Sequence, residues 1–329
     1  MYSPPITISK KIVSLCIRIS DRLGYAKGAN LPEPRPNLRK ENQIKTIQAT
    51  LAIEGNRFSV DQITALIDGQ RVKGKESEIV EVKNTIEVYE KLHQWNPTRK
   101  TSMLKAHKLL MRQLIDSPGK WRTAGVGIIK GQQISHMAPP ADRVSLLMED
   151  LFEYLIKEKE THILIKACVF HYEFLFIHPF MDGNGRMARL WQHLILISYN
   201  PVFRFFSIES LIKENQKKYY NALEKSDKSG ESTVFVEFLL ELILSELDSL
   251  ISKLDRKPLT SEERIKQAAG YFRERTFSRK DYLKQFDELS SATASRDLKR
   301  GVELGSLKKQ GDKATTMYRF KSSKSKGRS

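Results

Sequence analysis

His178-Pro179-Phe180-Met181-Asp182-Gly183-Asn184-Gly185-Arg186-Met187-Ala188-Arg189 decides the reading of this chain. The run before it, from Ile163 to Ile177, is largely apolar and aromatic and reads as a buried helix. After it, Met187, Leu190, Trp191, Leu194 and Ile195 recur at helical spacing, so a second helix is expected from Asn184 to Tyr199. Between the two, Asp182-Gly183-Asn184-Gly185 reads as a tight turn that feeds a helix N-terminus, with glycine supplying unusual backbone angles. The unpaired N–H groups of the first helical turn favour an anion there. Arg186 and Arg189, three apart, share a helix face and can grip that anion from the side. The arrangement suits a polyphosphate.

The chemistry of each residue suggests a part for it. His178 carries an imidazole able to accept a proton from an attacking hydroxyl. Asp182 offers hard oxygen ligands, which suit Mg²⁺ shared between one carboxylate and substrate phosphates. The amides of Gly183, Asn184 and Gly185 are expected to hold phosphate oxygens, with the Asn184 side chain as an extra donor. Arg186 and Arg189 would neutralise the terminal phosphates. These are the parts of a phosphoryl- or nucleotidyl-transfer site, where positioning and electrostatics supply most of the catalysis.

The segment matches position by position the signature H-P-F-x-[D/E]-G-N-G-R-x-x-R, and through it the chain resembles the Fic family. The resemblance implies a mostly α-helical fold and transfer of AMP from ATP to a hydroxyl side chain (Ser, Thr or Tyr) of a target protein, the chain itself included. It implies His178 as general base, Asp182 as Mg²⁺ ligand, Gly183 to Gly185 as anion nest, and Arg186 and Arg189 as ligands of the β- and γ-phosphates.

Two further stretches extend the resemblance. Thr50-Leu51-Ala52-Ile53-Glu54-Gly55-Asn56 is similar to the family's inhibitory motif, [S/T]-x-x-x-E-[G/N]. The run from Leu38 through Ile53 has helical spacing, and Gly55 is a natural helix end. By resemblance Glu54 pairs with Arg189 and occupies the seat of the γ-phosphate, with Thr50 part of the same motif. Trp121 to Gly131 alternates small and apolar residues between glycines and reads as a short β-hairpin, followed by His136 to Pro140 and an amphipathic helix from Val144 to Leu155. It resembles the flap of the family, with Gly127, Ile128 and Ile129 as the edge that pairs with an extended target segment. Tyr219-Tyr220 sits in a helical stretch where relatives place a tyrosine beside adenine, so Tyr220 is expected there. Asp227 stands where relatives carry Asn, a departure that bears on adenine recognition.

The chain has 329 residues and a formal net charge of +17. Its length suggests about two domains. Its two cysteines, Cys16 and Cys168, fit no metal spacing and no disulfide framework, so a reducing, cytoplasmic setting is expected. No apolar run approaches the roughly 20 residues of a membrane span. Ile12 to Ile17, closed by Arg18, is too short for an export signal.

From Lys257 to Ser329 there are nineteen Lys and Arg against nine Asp and Glu, so most of the net positive charge lies in the last fifth. A boundary is expected near Arg256-Lys257-Pro258. Beyond it three helices (Ser261 to Arg275, Ser278 to Phe286, Ser291 to Leu304) and a two-stranded wing (Leu307 to Lys313, Thr315 to Phe320) resemble a winged helix-turn-helix module. Thr293, Ser295, Arg296, Lys299 and Arg300 on the third helix are the expected DNA contacts, and a protein-docking module with a solvated basic face is the alternative. The expected fold is therefore mainly α: a Fic-type helical bundle with a small β-hairpin flap, plus a C-terminal winged helix-turn-helix. Residues 1–95 are expected to hold the inhibitory helix, 96–256 the catalytic core, and 257–329 the winged module with a disordered tail from Ser322. A homodimer is left open. The competing function is a DNA-binding regulator whose Fic site senses nucleotide or is silent.

Overall fold

The structure, a computed structural model, describes residues 2–28, 36–130, 133–205, 207–254, 259–286, 289–312 and 316–321. Two compact units divide the chain between Lys253 and Leu254. The first contains α1 (Lys10–Gly28), α2 (Pro36–Ile53), α3 (Val60–Ile67), α4 (Glu76–Glu90) and α5 (Lys100–Leu110). A hairpin of β1 (Gly127–Lys130) and β2 (Gln133–Met137) follows. Then come α6 (Val144–Lys157), α7 (Ile163–Ile177), α8 (Asn184–Tyr199), α9 (Ile208–Glu214), α10 (Gln216–Ser229) and α11 (Thr233–Leu254).

Helix α7 is apolar around its whole circumference, which is the pattern of a helix surrounded by others. Twelve of its fifteen residues are buried. It lies against α8, and Phe170, Phe174, Phe180, Trp191, Phe203 and Phe235 fill the space around the pair. Each such side chain contributes about 1.5–3 kcal/mol by leaving water. Buried Lys166 on α7 donates to the carbonyls of Leu155 (3.0 Å) and Glu158 (2.7 Å), satisfying the C-terminal end of α6. Helix α2 buries Ile44, Ile47 and Leu51 and packs against α4, α8 and α9, which brings its C-terminal turn to the start of α8.

The expected bounds of α7 and α8 agree with the structure. The expected hairpin lies too early. Trp121 to Val126 is not strand, and the second strand is Gln133–Met137, beyond the expected end of the hairpin at Gly131. The small-residue alternation that suggested a strand instead forms an irregular lead-in, fastened by Arg122.

The second unit contains α12 (Ser261–Phe272), β3 (Phe277–Ser278), α13 (Arg279–Gln285), α14 (Ser291–Glu303), β4 (Leu307–Gln310) and β5 (Met317–Phe320). Its sheet is antiparallel in the order β3-β5-β4. Phe272 and Phe277 stack 4.0 Å apart over Tyr282, Leu298 and Leu307. Thr260 with Glu263 and Ser278 with Asp281 form reciprocal capping boxes that start α12 and α13. The two-residue β3 was not anticipated, since so short a strand leaves no periodicity to read. The expected boundary at Arg256 to Pro258 and the tail from Ser322 lie outside the described residues.

Candidate active site

Helix α7 ends at His178, whose backbone is left-handed (φ +50°) and whose N–H donates to Phe174 O at 3.0 Å. Few residues with a side chain adopt this conformation without other support. Support comes from Arg122, which is 2% exposed and was not singled out in the sequence. Its Nε donates to His178 O (2.8 Å) and its backbone N–H to Pro179 O (2.9 Å).

Phe180 follows, buried between a parallel-stacked His107 (3.5 Å) and Trp121 (4.8 Å). Both ring nitrogens of His107 are used. The Gly119 N–H donates to Nδ1 at 2.8 Å, so Nε2 carries the proton and donates to Asp182 O at 3.0 Å. Burial pulls the His107 pKa down to about 4, so the ring is neutral at ordinary pH and fixes the peptide that bears Asp182.

Gly183 opens α8 with φ +82°, and a side chain there would meet the Met111 sulfur at 2.8 Å. The Asn184 side chain is not the ligand donor expected of it. Oδ1 accepts from Phe180 N (2.9 Å) and Nδ2 donates to Phe180 O (2.8 Å), at 2% exposure. Both ends of the carboxamide close the turn, which leaves the backbone amide as the donor facing an anion. Gly183 N donates to Asp182 Oδ1 at 2.5 Å.

Arg189, 1% exposed, donates from Nε to Thr50 Oγ1 (3.1 Å) and from Nη2 to Thr50 O (3.3 Å) and Glu54 Oε1 (2.6 Å). Gly55, with φ +93°, lets the chain leave α2 beside this pair. A Cβ at Gly185 would stand 2.5 Å from Glu54 Oε1, so the carboxylate lies directly over the first turn of α8. It therefore occupies the position where helix N–H groups and an arginine converge on an anion. Desolvation by itself would raise the Glu54 pKa, but Arg189, with Arg186 and His178 adding to it, brings the carboxyl below its usual range.

Arg186 is 5% exposed and donates from Nη1 to Glu81 Oε1, with its Nη2 3.5 Å from Asp182 Oδ1. Glu81, on α4, is a partner that nothing in the sequence flagged. The Asp182 side chain keeps 61% of its surface. Among the described residues no group of three or more His, Cys, Asp or Glu could hold a metal ion. A lone exposed carboxylate beside an anion seat still fits Mg²⁺, which takes one or two protein carboxylates and completes its shell with water and substrate phosphate.

Tyr219 and Tyr220 part ways. Tyr219 is 2% exposed, and its hydroxyl lies 3.0 Å from His171 Nε2. His171 Nδ1 lies 2.6 Å from Gln192 Oε1, which can only accept, so Nδ1 bears the proton and the tyrosine donates to Nε2. Tyr220, the residue expected beside adenine, is 40% exposed and packs edge-on against Tyr219. Asp227 accepts from Tyr172 Oη at 3.0 Å.

In the hairpin, Gly127 pairs with Met137 and Ile128 with His136, with a bulge between Ile128 and Ile129. The sheet has two strands, so each strand has an outer edge with no strand beside it among the described residues.

In the second unit, Thr293, Ser295, Arg296, Lys299 and Arg300 all lie on α14, and the three cations are exposed. Arg296 donates to Thr293 Oγ1 (3.2 Å), and Ser295 Oγ accepts from Arg279 (3.0 Å). Lys299 and Arg300 face Glu303 (3.9 Å) and Glu262 (3.3 Å) across exposed ion pairs of little strength.

Residues 97–196 match the model of the Fic/DOC family. A Fic family protein from Desulfovibrio desulfuricans, known from its crystal structure, is 38% identical, with a TM-score of 0.74 over 99% of this chain and 100% of that one. The protein adenylyltransferase Fic of Drosophila ananassae is 26% identical over 64% of this chain and 42% of its own length. That of Culex quinquefasciatus is 27% identical over 73% of this chain and 48% of its own length. The chain thus spans less than half the length of these insect relatives.

Proposed function

Because the chain belongs to the Fic family, we propose that it is an adenylyltransferase that moves AMP from ATP to a hydroxyl side chain of a protein, itself included, and that Glu54 restrains it. The observation that carries the restraint is the Glu54 carboxylate bonded to Arg189 over Gly185. A polyphosphate needs that same seat, so ATP reaches a productive pose only when Glu54 leaves. On this reading residues 1–95 supply the restraint, 96–256 the chemistry and 257–329 a separate binding module.

The catalytic steps fall to the chain's own groups. The His178 imidazole takes the proton of the acceptor hydroxyl as its oxygen attacks the α-phosphorus, and pyrophosphate leaves with the electron pair of the broken P–O bond. Arg189 and Arg186 hold the β- and γ-phosphates, and the amides of Asn184 and Gly185 stabilise the charge that gathers on phosphate oxygens. Asp182 would hold Mg²⁺, which neutralises the polyphosphate when bound. The hairpin edge at Gly127 to Ile129 pairs with an extended stretch of the target, and its register brings the hydroxyl to His178. Tyr220 borders the adenine.

The test is incubation with α-labelled ATP and Mg²⁺. Glu54→Gly should label itself well above the wild type, and Arg189→Ala should not be rescued by it. His178→Ala in the Glu54→Gly chain should lose transfer by on the order of 10²–10⁴-fold while still binding ATP. Equal labelling of wild type and Glu54→Gly would refute the restraint. Loss of ATP affinity in His178→Ala would refute the base.

For the second unit the reading is contact with duplex DNA through α14. Arg296, Lys299 and Arg300 lie exposed along that helix, and the order helix–strand–helix–helix–strand–strand supports a winged helix.

A further inference from the structure

The guanidinium of Arg122 draws together three segments. Nε donates to His178 O (2.8 Å) and Nη2 to Ile177 O (3.2 Å), both at the end of α7. Nη1 donates to Ala124 O (2.9 Å), on the lead-in to β1, and Nη2 also donates to Pro139 O, just past β2. Among the described residues all its partners are carbonyl oxygens.

A buried cation without a carboxylate is expensive unless its donors are met. Here the cost is offset by geometry. Planar, forked donors reach carbonyls lying in different directions, which an ammonium on a flexible stem cannot match. A plain structural anchor would need only one of these segments. This one holds the peptide of a residue in left-handed conformation and, with the same rigid group, both roots of the hairpin.

We propose that Arg122 is a positioning residue that sets the hairpin's register against His178, so that an acceptor paired with β1 presents its hydroxyl at the imidazole. The proposal rests on the adenylyltransferase reading and on the hairpin as its docking strand. Because the nucleotide seat is built by α8 and the Glu54 turn, loss of Arg122 should harm the acceptor side and spare ATP. A displacement of about 1 Å between base and acceptor suffices for roughly a 10²-fold loss of rate.

The test uses the full chain with Glu54→Gly, to which Arg122→Lys is added. Expected are a roughly 10²-fold fall in transfer to a protein acceptor, a calorimetric affinity for Mg²⁺–ATP within about twofold of the parent, and faster amide exchange in Gly127 to Lys130 and Gln133 to Met137 with α7 and α8 unchanged. Transfer at the parent rate, or ATP affinity falling in step with transfer, would overturn the proposal. If the Lys variant does not fold, Arg122→Gln is measured in the same way. If the Glu54→Gly parent shows no transfer, the adenylyltransferase reading has failed on its own account. Hairpin exchange then judges Arg122 separately, and unchanged exchange overturns its tie.

Discussion

Glu81 and Arg186 are ion-paired across α4 and α8, and the other oxygen of Glu81 accepts from Asn56 Nδ2 at 2.8 Å. Asn56 lies two residues past Glu54 and is itself fixed, with its N–H on Leu51 O (3.1 Å) and its Oδ1 accepting from Phe58 N (3.0 Å). The turn that follows α2 is therefore attached to both signature arginines, directly to Arg189 and through Glu81 to Arg186.

The first prediction comes from that second attachment. Asn56→Ala cuts it without touching either arginine. A lost hydrogen bond of about 1 kcal/mol corresponds to roughly a fivefold change in an opening equilibrium. Self-labelling of Asn56→Ala should rise by about that factor, less than for Glu54→Gly, and the double variant should label no faster than Glu54→Gly alone. A single variant indistinguishable from wild type, with its thermal midpoint preserved, would show that the turn does not depend on Glu81.

The second concerns pH. Glu173 on α7 is 4% exposed and accepts from Tyr2 Oη at 3.1 Å; burial pushes its pKa up to about 7. The folded state then holds a proton that the unfolded chain releases near 4.5. Its favourable contribution is complete below pH 4.5 and is lost as pH rises through about 7, by up to about 3 kcal/mol. Glu173→Gln keeps an acceptor for Tyr2 and removes the titration. Denaturant unfolding should show the variant gaining on wild type between pH 5 and 8, and parallel curves would refute the buried protonated carboxyl.

The third addresses the basic unit. If α14 grips DNA phosphates, binding of the full chain should weaken steeply with salt, with a log–log slope near −0.9 per phosphate neutralised. Replacing Arg296, Lys299 and Arg300 together by Ala should flatten that slope. A gel shift at about 50 mM salt decides it, since the ionic attraction is still long-ranged there. No shift at micromolar protein would leave this unit as a protein-docking module.

What was legible in the sequence was local. Residues 163–177 and 184–199 declare themselves by periodicity, and the glycines mark the turn between them. Glu54 and Arg189, 135 residues apart, could be matched because each sits in a recognisable short pattern. Arg122, His107 and Glu81 could not. Their roles depend on which carbonyl or guanidinium folding brings to them, and an isolated arginine, histidine or helical glutamate carries no mark of its partner. The Asn184 side chain hides its role for the complementary reason. A polar group in a ligand-binding turn looks available until the turn's own amides are counted. Alternation near glycine predicts the hairpin too early, because Arg122 holds that stretch in an irregular path.

On the proposed reading, the bare backbone at Gly185 would make the site a contest between two anions, one tethered and one diffusing. A tethered group competes at an effective concentration set by its leash, of millimolar order for short flexible links and higher when the leash is a packed helix end. ATP would therefore need not merely to bind but to outbid a resident carboxylate, and the apparent nucleotide affinity becomes a readout of how firmly the end of α2 is docked. Any partner that pulls on that helix would tune the response to ATP without ever entering the pocket.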